Sequence, residues 1–337
     1  MRKLLDLRSS LAAWRFRFCF FCVLGVLCGE SLLSAAEPAF PSRPVRFVVP
    51  FPPGTTTDVV ARLVAQRGGE RLGQPIVVDN RSGASGTIGV ETVARAAPDG
   101  YTWGLGTTTT HALAPILSPK LGYDPVRDFA PVALLGDSPY FLTTHPALPA
   151  SNMQEFVAYA RANPGKLHYA SVGNFSLGHL SGELLKKAAG INMVHVPYKG
   201  STLALIDLLA GRIQLNISTI AASLPQVKAG KLRALAVTSQ QRVSALPQTP
   251  TVAESGFPGY QASLWVGLFV PARTPGTVVG RLNRELNSVL GSADMREALV
   301  NQVFEPGALA PEAFARLIRE DTARWRKVIT DSGLKPE

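Results

Sequence analysis

Cysteine is absent from almost the whole chain: Cys19, Cys22 and Cys28 all fall within the first 28 of 337 residues. The rest therefore has no disulfide framework, no zinc–thiolate site and no thiol nucleophile, and its stability must come from core burial. Internal repeats, low-complexity tracts and long runs of like charge are missing too. With 46% hydrophobic residues and no glycine period, a disordered or collagen-like chain is excluded. Catalytic signatures are equally scarce. No GxSxG surrounds a serine, since Ser85 sits in GASGT and Ser176 in NFSLG, so the nucleophile elbow is lacking. There is no Walker phosphate loop, and GASGTIG has the wrong spacing for GxGxxG. The histidines, His111, His145, His168, His179 and His195, include no HExxH pair, and His179 with Glu183 one helical turn on reads as an ordinary surface contact. Neither metal nor cofactor is expected.

The cysteine-bearing end has its own pattern. Arg2, Lys3, Arg8, Arg15 and Arg17 precede the apolar run FCFFCVLGVLC, and Ser34-Ala35-Ala36 offers small residues for cleavage. This is the layout of a secretory signal peptide over residues 1–36, cut after about Ala36; an uncleaved anchor is the alternative. An 11-residue run is too short to span a bilayer as a helix. Leu27 before Cys28 disfavours lipoprotein processing, and no two arginines are adjacent, so the twin-arginine route has no support. Cleavage lowers the net charge from +10 to +7, leaving 29 basic and 22 acidic residues. That excess biases the protein toward anions without making a site. Because the basic residues are scattered and not interleaved with aromatics, nucleic acid is not an expected partner.

What is present is alternation. VRFVVP, PIVVDN and YTWGLG read as buried strands, separated by helices over 58–72 and 88–97. The pattern restarts with helices at 153–163, 177–189 and 201–210 and strands KLHYASVG, MVHVPY, RIQLNIS and LRALAVTS, and two long helices, 275–290 and 311–332, close the chain. Strands alternating with helices predict an α/β sheet of parallel units. Two apolar strands without helices of their own, APVALLG and SLWVGLFVP, bracket the middle segment. They predict two lobes joined by two crossover strands with a cleft between, the alternative being one continuous sheet. Lobe 1 is expected over 41–137 and 265–337, and lobe 2 over 138–264.

Chemistry is expected where strands hand over to helices. In PFPPGTTTD, Gly54 allows close backbone approach, while Thr55 and Thr56 offer hydroxyls and free amides beside Asp58 at a helix start. A turn of this kind also serves for capping alone. The second such loop, ASVGNFSLGH, gathers Ser171, Val172, Asn174, Ser176 and His179. Loops at the carboxyl ends of strands are where open α/β sheets bind ligands, so two of them in different lobes point to one small anion in a shared cleft. The turn GTTTTH, with Thr108, Thr109 and His111, adds hydroxyl donors; Tyr198 and Lys199, at the end of HVPYK, can face the same space.

Taken together, PSRPVRFVVPFPPG, RLGQPIVVDNRSGASGTIG, YASVGNFSLGHLSGELLK, MVHVPYKGS and LPQTPTVAESGFPGY resemble the substrate-binding proteins of tripartite tricarboxylate transporters, the Bug (Bordetella uptake gene) or TctC-like family. The resemblance runs from about Pro41 to Glu337. It implies a two-lobed type II periplasmic-binding-protein fold closing on an organic acid, and a role without catalysis. Phe51 to Asp58 and Ser171 to His179 would line the cleft, with Thr108, Thr109, His111, Tyr198 and Lys199 contributing. The implied partners are a small mono- or dicarboxylate and the permease subunits of a tripartite tricarboxylate-type transporter, met in the periplasm by a monomer. A sensing or docking protein for a membrane signalling partner and an exported serine hydrolase are the alternatives. Two departures stand out. Thr55 occupies the place of a second family glycine, so the loop either sits differently or lends its hydroxyl to the ligand. Ser218 replaces an acidic residue common in the family, which turns the expectation away from ligands carrying an ammonium group.

Overall fold

The computed structural model describes residues 40–118 and 120–335; the expected signal peptide lies outside them. β1 (Val45–Val49) is the β-branched run VRFVV with four of its five residues buried, as a strand covered on both faces must be. It pairs in parallel with β2 (Ile76–Asn80) and β3 (Thr102–Thr107), Phe47 standing opposite both Val78 and Trp103. The connections are α1 (Thr56–Leu72), a 3-10 turn (Ala84–Gly86) and α2 (Thr87–Ala94), and the short α3 (Ala114–Leu117) comes after β3.

β4 (Phe129–Thr144) runs eight residues past the expected end of its strand. Gly136 and Pro139 read as breakers in the sequence; here the strand continues through them because it changes sheets. Its first part pairs antiparallel with β9 (Ser263–Pro271), whose other edge holds β3, giving the order β2-β1-β3-β9-β4. Its last five residues, from Tyr140, pair with β7 (Leu215–Thr219) and β8 (Arg233–Val237), and β7 leads on to β5 (Leu167–Ser171) and β6 (Met193–Pro197). α4 (Met153–Ala162), α5 (Leu177–Ala189) and α6 (Ser201–Leu209) accompany this second sheet. So does α7 (Ile220–Lys228), which the sequence reading passed over; Pro225 inside it is a poor helix former. Near the C-terminus the expected helix at 275–290 is followed, after a break at Ser292, by a second one: α8 (Gly276–Gly291) and α9 (Ala293–Asn301). β10 (Glu305–Pro306) adds to β4, and α10 (Pro311–Asp331) closes the chain.

The fold is α/β and two-lobed, with β4 and the chain leading into β9 as its crossovers. Register fixes where the strand ends meet. Val266 pairs with both Thr107, the last residue of β3, and Gly136 of β4, while Thr219, the last residue of β7, pairs with Tyr140. Tyr140 lies four residue steps beyond Gly136, about 13 Å at the usual rise. The carboxyl ends of the parallel strands of both sheets therefore converge on the middle of β4. Beneath that point one contiguous apolar cluster runs from Val48 and Phe269 through Trp265 and Tyr260 to Leu180 and Tyr169.

Candidate ligand-binding site

The loop after β1 is built around Asp58. Gly54 adopts φ +81°, and its N–H donates to Asp58 Oδ2 at 2.9 Å. The same carboxylate accepts from Asn80 at 2.8 Å and from Arg62 Nε at 3.0 Å, and the residue is 2% exposed. Burial opposes its charge, but the hydrogen bonds from Arg62, Gly54 and Asn80 together hold the carboxyl below its ordinary range. Asp58 thus braces the loop from inside instead of meeting a ligand. Thr55 answers its departure from the family pattern: its backbone is extended (φ −73°), so no left-handed conformation is required there. Its hydroxyl caps α1, accepting from the Asp58 N–H at 3.4 Å and donating to the Pro52 carbonyl at 2.9 Å. Thr56 and Thr57 occupy the first helical positions, whose N–H groups have no partner carbonyl within the helix.

Two further turns close on this loop. A Cβ at Gly86 would lie 2.9 Å from the Thr110 methyl and 3.3 Å from the Phe51 ring, so the three segments touch. Ala84 and Ser85 both take left-handed backbone (φ 46° and 54°), a strained pair costing about 1–2 kcal/mol each. This turn was not among the expected site segments; its signal was the Gly-Ala-Ser-Gly between a strand and a helix. After β3, Thr107 and Thr110 form a reciprocal capping box for a π-helical turn, Thr108–Leu113. Thr108 and His111 point away from the role expected of them. The Thr108 hydroxyl accepts from the Trp265 N–H and donates to the Ser263 carbonyl, both at 3.1 Å, tying the turn to β9. His111 is 1% exposed and stacked on Phe269 at 4.0 Å, and burial pushes its pKa down to about 3. It packs as a neutral core ring. Thr109 alone of these three is partly exposed.

In the second lobe the loop after β5 leads into α5, whose cap is Ser176, accepting from the His179 N–H at 3.3 Å. Gly178 is what lets this helix start so close to the sheet: a Cβ there would sit 2.4 Å from the Ile217 carbonyl oxygen. Val172 and Asn174 are exposed at the loop tip. Ser171 is wholly buried, its Oγ 2.7 Å from His195 Nε2 and 3.1 Å from the Ser176 hydroxyl, which donates to it. His195 was not among the expected site residues, and only β-strand register brings it to Ser171. The contact has the look of a serine–histidine pair, but the serine is inaccessible and no carboxylate hydrogen bond orients the imidazole among the described residues. The next loop is attached directly: the Tyr198 N–H donates to the Ser171 carbonyl at 2.9 Å, and the Tyr198 hydroxyl to Asp207 at 2.8 Å. Lys199 is exposed and forms no ion pair among the described residues. Ser218, buried on β7, accepts from the Asn216 amide at 3.0 Å and so serves the interior of the strand. No cluster of three or more His, Cys, Asp or Glu suited to a metal occurs among the described residues.

Two helix starts with spare amides, one per lobe, thus stand at converging strand ends. Residues 60–334 match the family described as the tripartite tricarboxylate transporter family receptor. The chain belongs to that family. Proteins similar to it include BugT of Bordetella pertussis, 37% identical over 318 residues, which span 93% of this chain and 97% of BugT. An R. palustris protein solved with adipate is 41% identical, with a TM-score of 0.75 over 88% of this chain and all of its own. MatC of Rhodopseudomonas palustris, solved with bound malate, is 36% identical, with a TM-score of 0.69 over 86% of this chain and all of its own. As a receptor of this family the chain is a solute-binding protein rather than an enzyme, and the TM-scores show its fold shared with these structures.

Proposed function

We propose that this receptor captures a small mono- or dicarboxylate between its lobes and hands it to the permease subunits of a tripartite tricarboxylate-type transporter. The observation that carries the reading is the pair of helix N-termini, at Thr56 of α1 and Leu177 of α5, on strand ends converging at β4. Unpaired amides reinforced by a helix dipole favour anions by about 0.3–2 kcal/mol each. That similar proteins were solved with adipate and malate, both dicarboxylates, supports the same ligand class here. Phe51, Gly54, Thr56, Thr109, Val172, Asn174, Ser176, Tyr198 and Lys199 are the residues left to line the space, with lobe 1 over 41–137 and 265–337 and lobe 2 over 138–264. With an uncharged serine at 218, nothing on β7 favours an ammonium group. Export with cleavage after about Ala36 delivers a periplasmic monomer.

Calorimetry and thermal shift with adipate, malate and other organic acids test this. A ligand bound only by the folded state raises stability by about 2.7 kcal/mol at a hundredfold excess over Kd. Thr56→Pro is the diagnostic variant. Proline is tolerated at the first helical position, and Thr55 already has the extended backbone a following proline demands, so the change deletes one N–H without breaking α1. Affinity for the carboxylate should fall about tenfold, the worth of one charge-assisted hydrogen bond. No saturable binding of any carboxylate overturns the ligand class; unchanged affinity in Thr56→Pro overturns the role of the α1 terminus.

A further inference from the structure

The loop from Ser171 to Ser176 is held by its own serines, whose hydroxyls reach the Gly173 carbonyl at 2.9 and 2.7 Å, and by two imidazoles. His179 Nδ1 accepts the Phe175 N–H at 3.0 Å, and His195 Nε2 stands 2.7 Å from the Ser171 hydroxyl. The two rings stack on each other, 3.9 Å between centroids and 9° from parallel. Phe175 has φ 58°, a conformation that a bulky residue keeps only where its surroundings impose it. We propose that His179, backed by the His195 ring stacked on it, is the positioning residue of the ligand loop, competent only while its ring is neutral, so that acid lets the loop go and weakens ligand binding. The inference rests on the carboxylate reading above for what the loop binds, though not for how it is held.

The chemistry follows from the donors. Because His179 Nδ1 accepts from Phe175, its single proton sits on Nε2; a second proton would set an N–H against the Phe175 N–H and end that bond. The face-to-face stack forbids two imidazolium ions at such a distance. The groups around the pair favour neutrality on balance. Burial lowers the pKa of His179 and, with His179 and Lys186 beside it, brings that of His195 down to about 4. Glu183 on α5 pulls the other way, but its carboxylate is already held by Lys186 Nζ at 2.9 and 3.0 Å and by the Tyr169 hydroxyl of β5 at 2.7 Å.

Asparagine separates position from titration: its side-chain oxygen stands where His Nδ1 does and takes up no proton. In ligand-free protein, the Phe175 amide shift and protection factor measured by NMR between neutral pH and about pH 4 should change with acid in the wild type and stay constant in His179→Asn. His179→Leu should have lost the protection already at neutral pH. With adipate as the calorimetric probe, His179→Asn should bind within about twofold of wild type at pH 7, and His179→Leu about tenfold more weakly. At about pH 4, His179→Asn should bind about tenfold more tightly than wild type, a comparison in which the probe's own protonation cancels. If His179→Leu fails to fold, His179→Gln, whose side-chain oxygen stands at Nε2 and not at Nδ1, serves as the second variant and should likewise have lost the Phe175 protection at neutral pH. Parallel pH profiles for wild type and His179→Asn, or a Phe175 amide indifferent to both acid and His179→Leu, overturn the proposal. Absence of adipate binding at either pH tells against the carboxylate reading for this probe, and the Phe175 amide still decides how the loop is held.

Discussion

Asp58 shows how a residue type chosen for contact can be used for architecture. Three donors converge on a carboxylate that is 2% exposed, one from its own loop, one from α1 and one from β2. Asp58→Ala leaves the Gly54 N–H without its acceptor and the Asn80 amide with only the Phe51 carbonyl, and should cost about 2–4 kcal/mol in chemical denaturation as well as weakening ligand binding. The pH signature has a definite sign. The folded-state pKa is depressed, so the stabilisation is present above the unfolded carboxyl value near 4 and is lost as pH falls toward the folded value. Wild type and Asp58→Ala should therefore approach one another in stability on acidification. His111 is a second case: a histidine after four threonines suggests a ligand contact, yet the ring lies flat on Phe269 inside an aromatic cluster, its Nδ1 2.9 Å from the Thr110 hydroxyl.

At the level of elements, β4 is the unit on which the two lobes depend, and Asp137 stands just before its change of sheet. Burial pushes that carboxyl up to about 7, a hydrogen bond from Ser263 opposing, with Asp321 and Glu305 adding repulsion and Arg324 relief. Its Oδ1 has no hydrogen-bond partner among the described residues. Arg324 is engaged elsewhere, with Asp321 and with Gln261, and Asp321 also accepts from Trp265 Nε1 at 2.7 Å. Since the folded pKa lies above the unfolded one, the native state binds more protons between about pH 4 and 7, and stability drops as pH rises through that window. Asp137→Asn removes the penalty. Its melting temperature should exceed that of wild type at pH 8, and the gap should narrow steadily as pH is lowered from 7 toward 4. A constant gap would place the ionisation elsewhere.

For the molecule as a whole, continuity across the lobes sets the thermodynamics. From Arg43 on, the chain forms one compact unit. β4 belongs to both sheets, the apolar cluster passes between them without a break, and α10 packs on β4 while its Asp331 pairs with Lys187 of α5. Scanning calorimetry of the ligand-free protein should therefore show one unfolding transition with equal calorimetric and van't Hoff enthalpies. Two separated peaks would mean that the lobes unfold independently. How much of this can be read from sequence depends on the range of the interaction. The apolar run of β1, the cap residues of α1 and α5, and the Gly, Ser and Thr turns are local features, set by residues within a turn of one another, and they suffice for the α/β alternation, two lobes and a capped polar loop at each of two helix starts. The length of β4, the short helix around Pro225 and the inward aim of Asp58, Thr108, His111 and Ser218 depend on partners far along the chain. So does the His179–His195 stack, which exists only because β5 and β6 pair in register and Gly178 lets α5 approach them. Hydrogen-bond demand is written in residue type; which partner satisfies it is decided by packing.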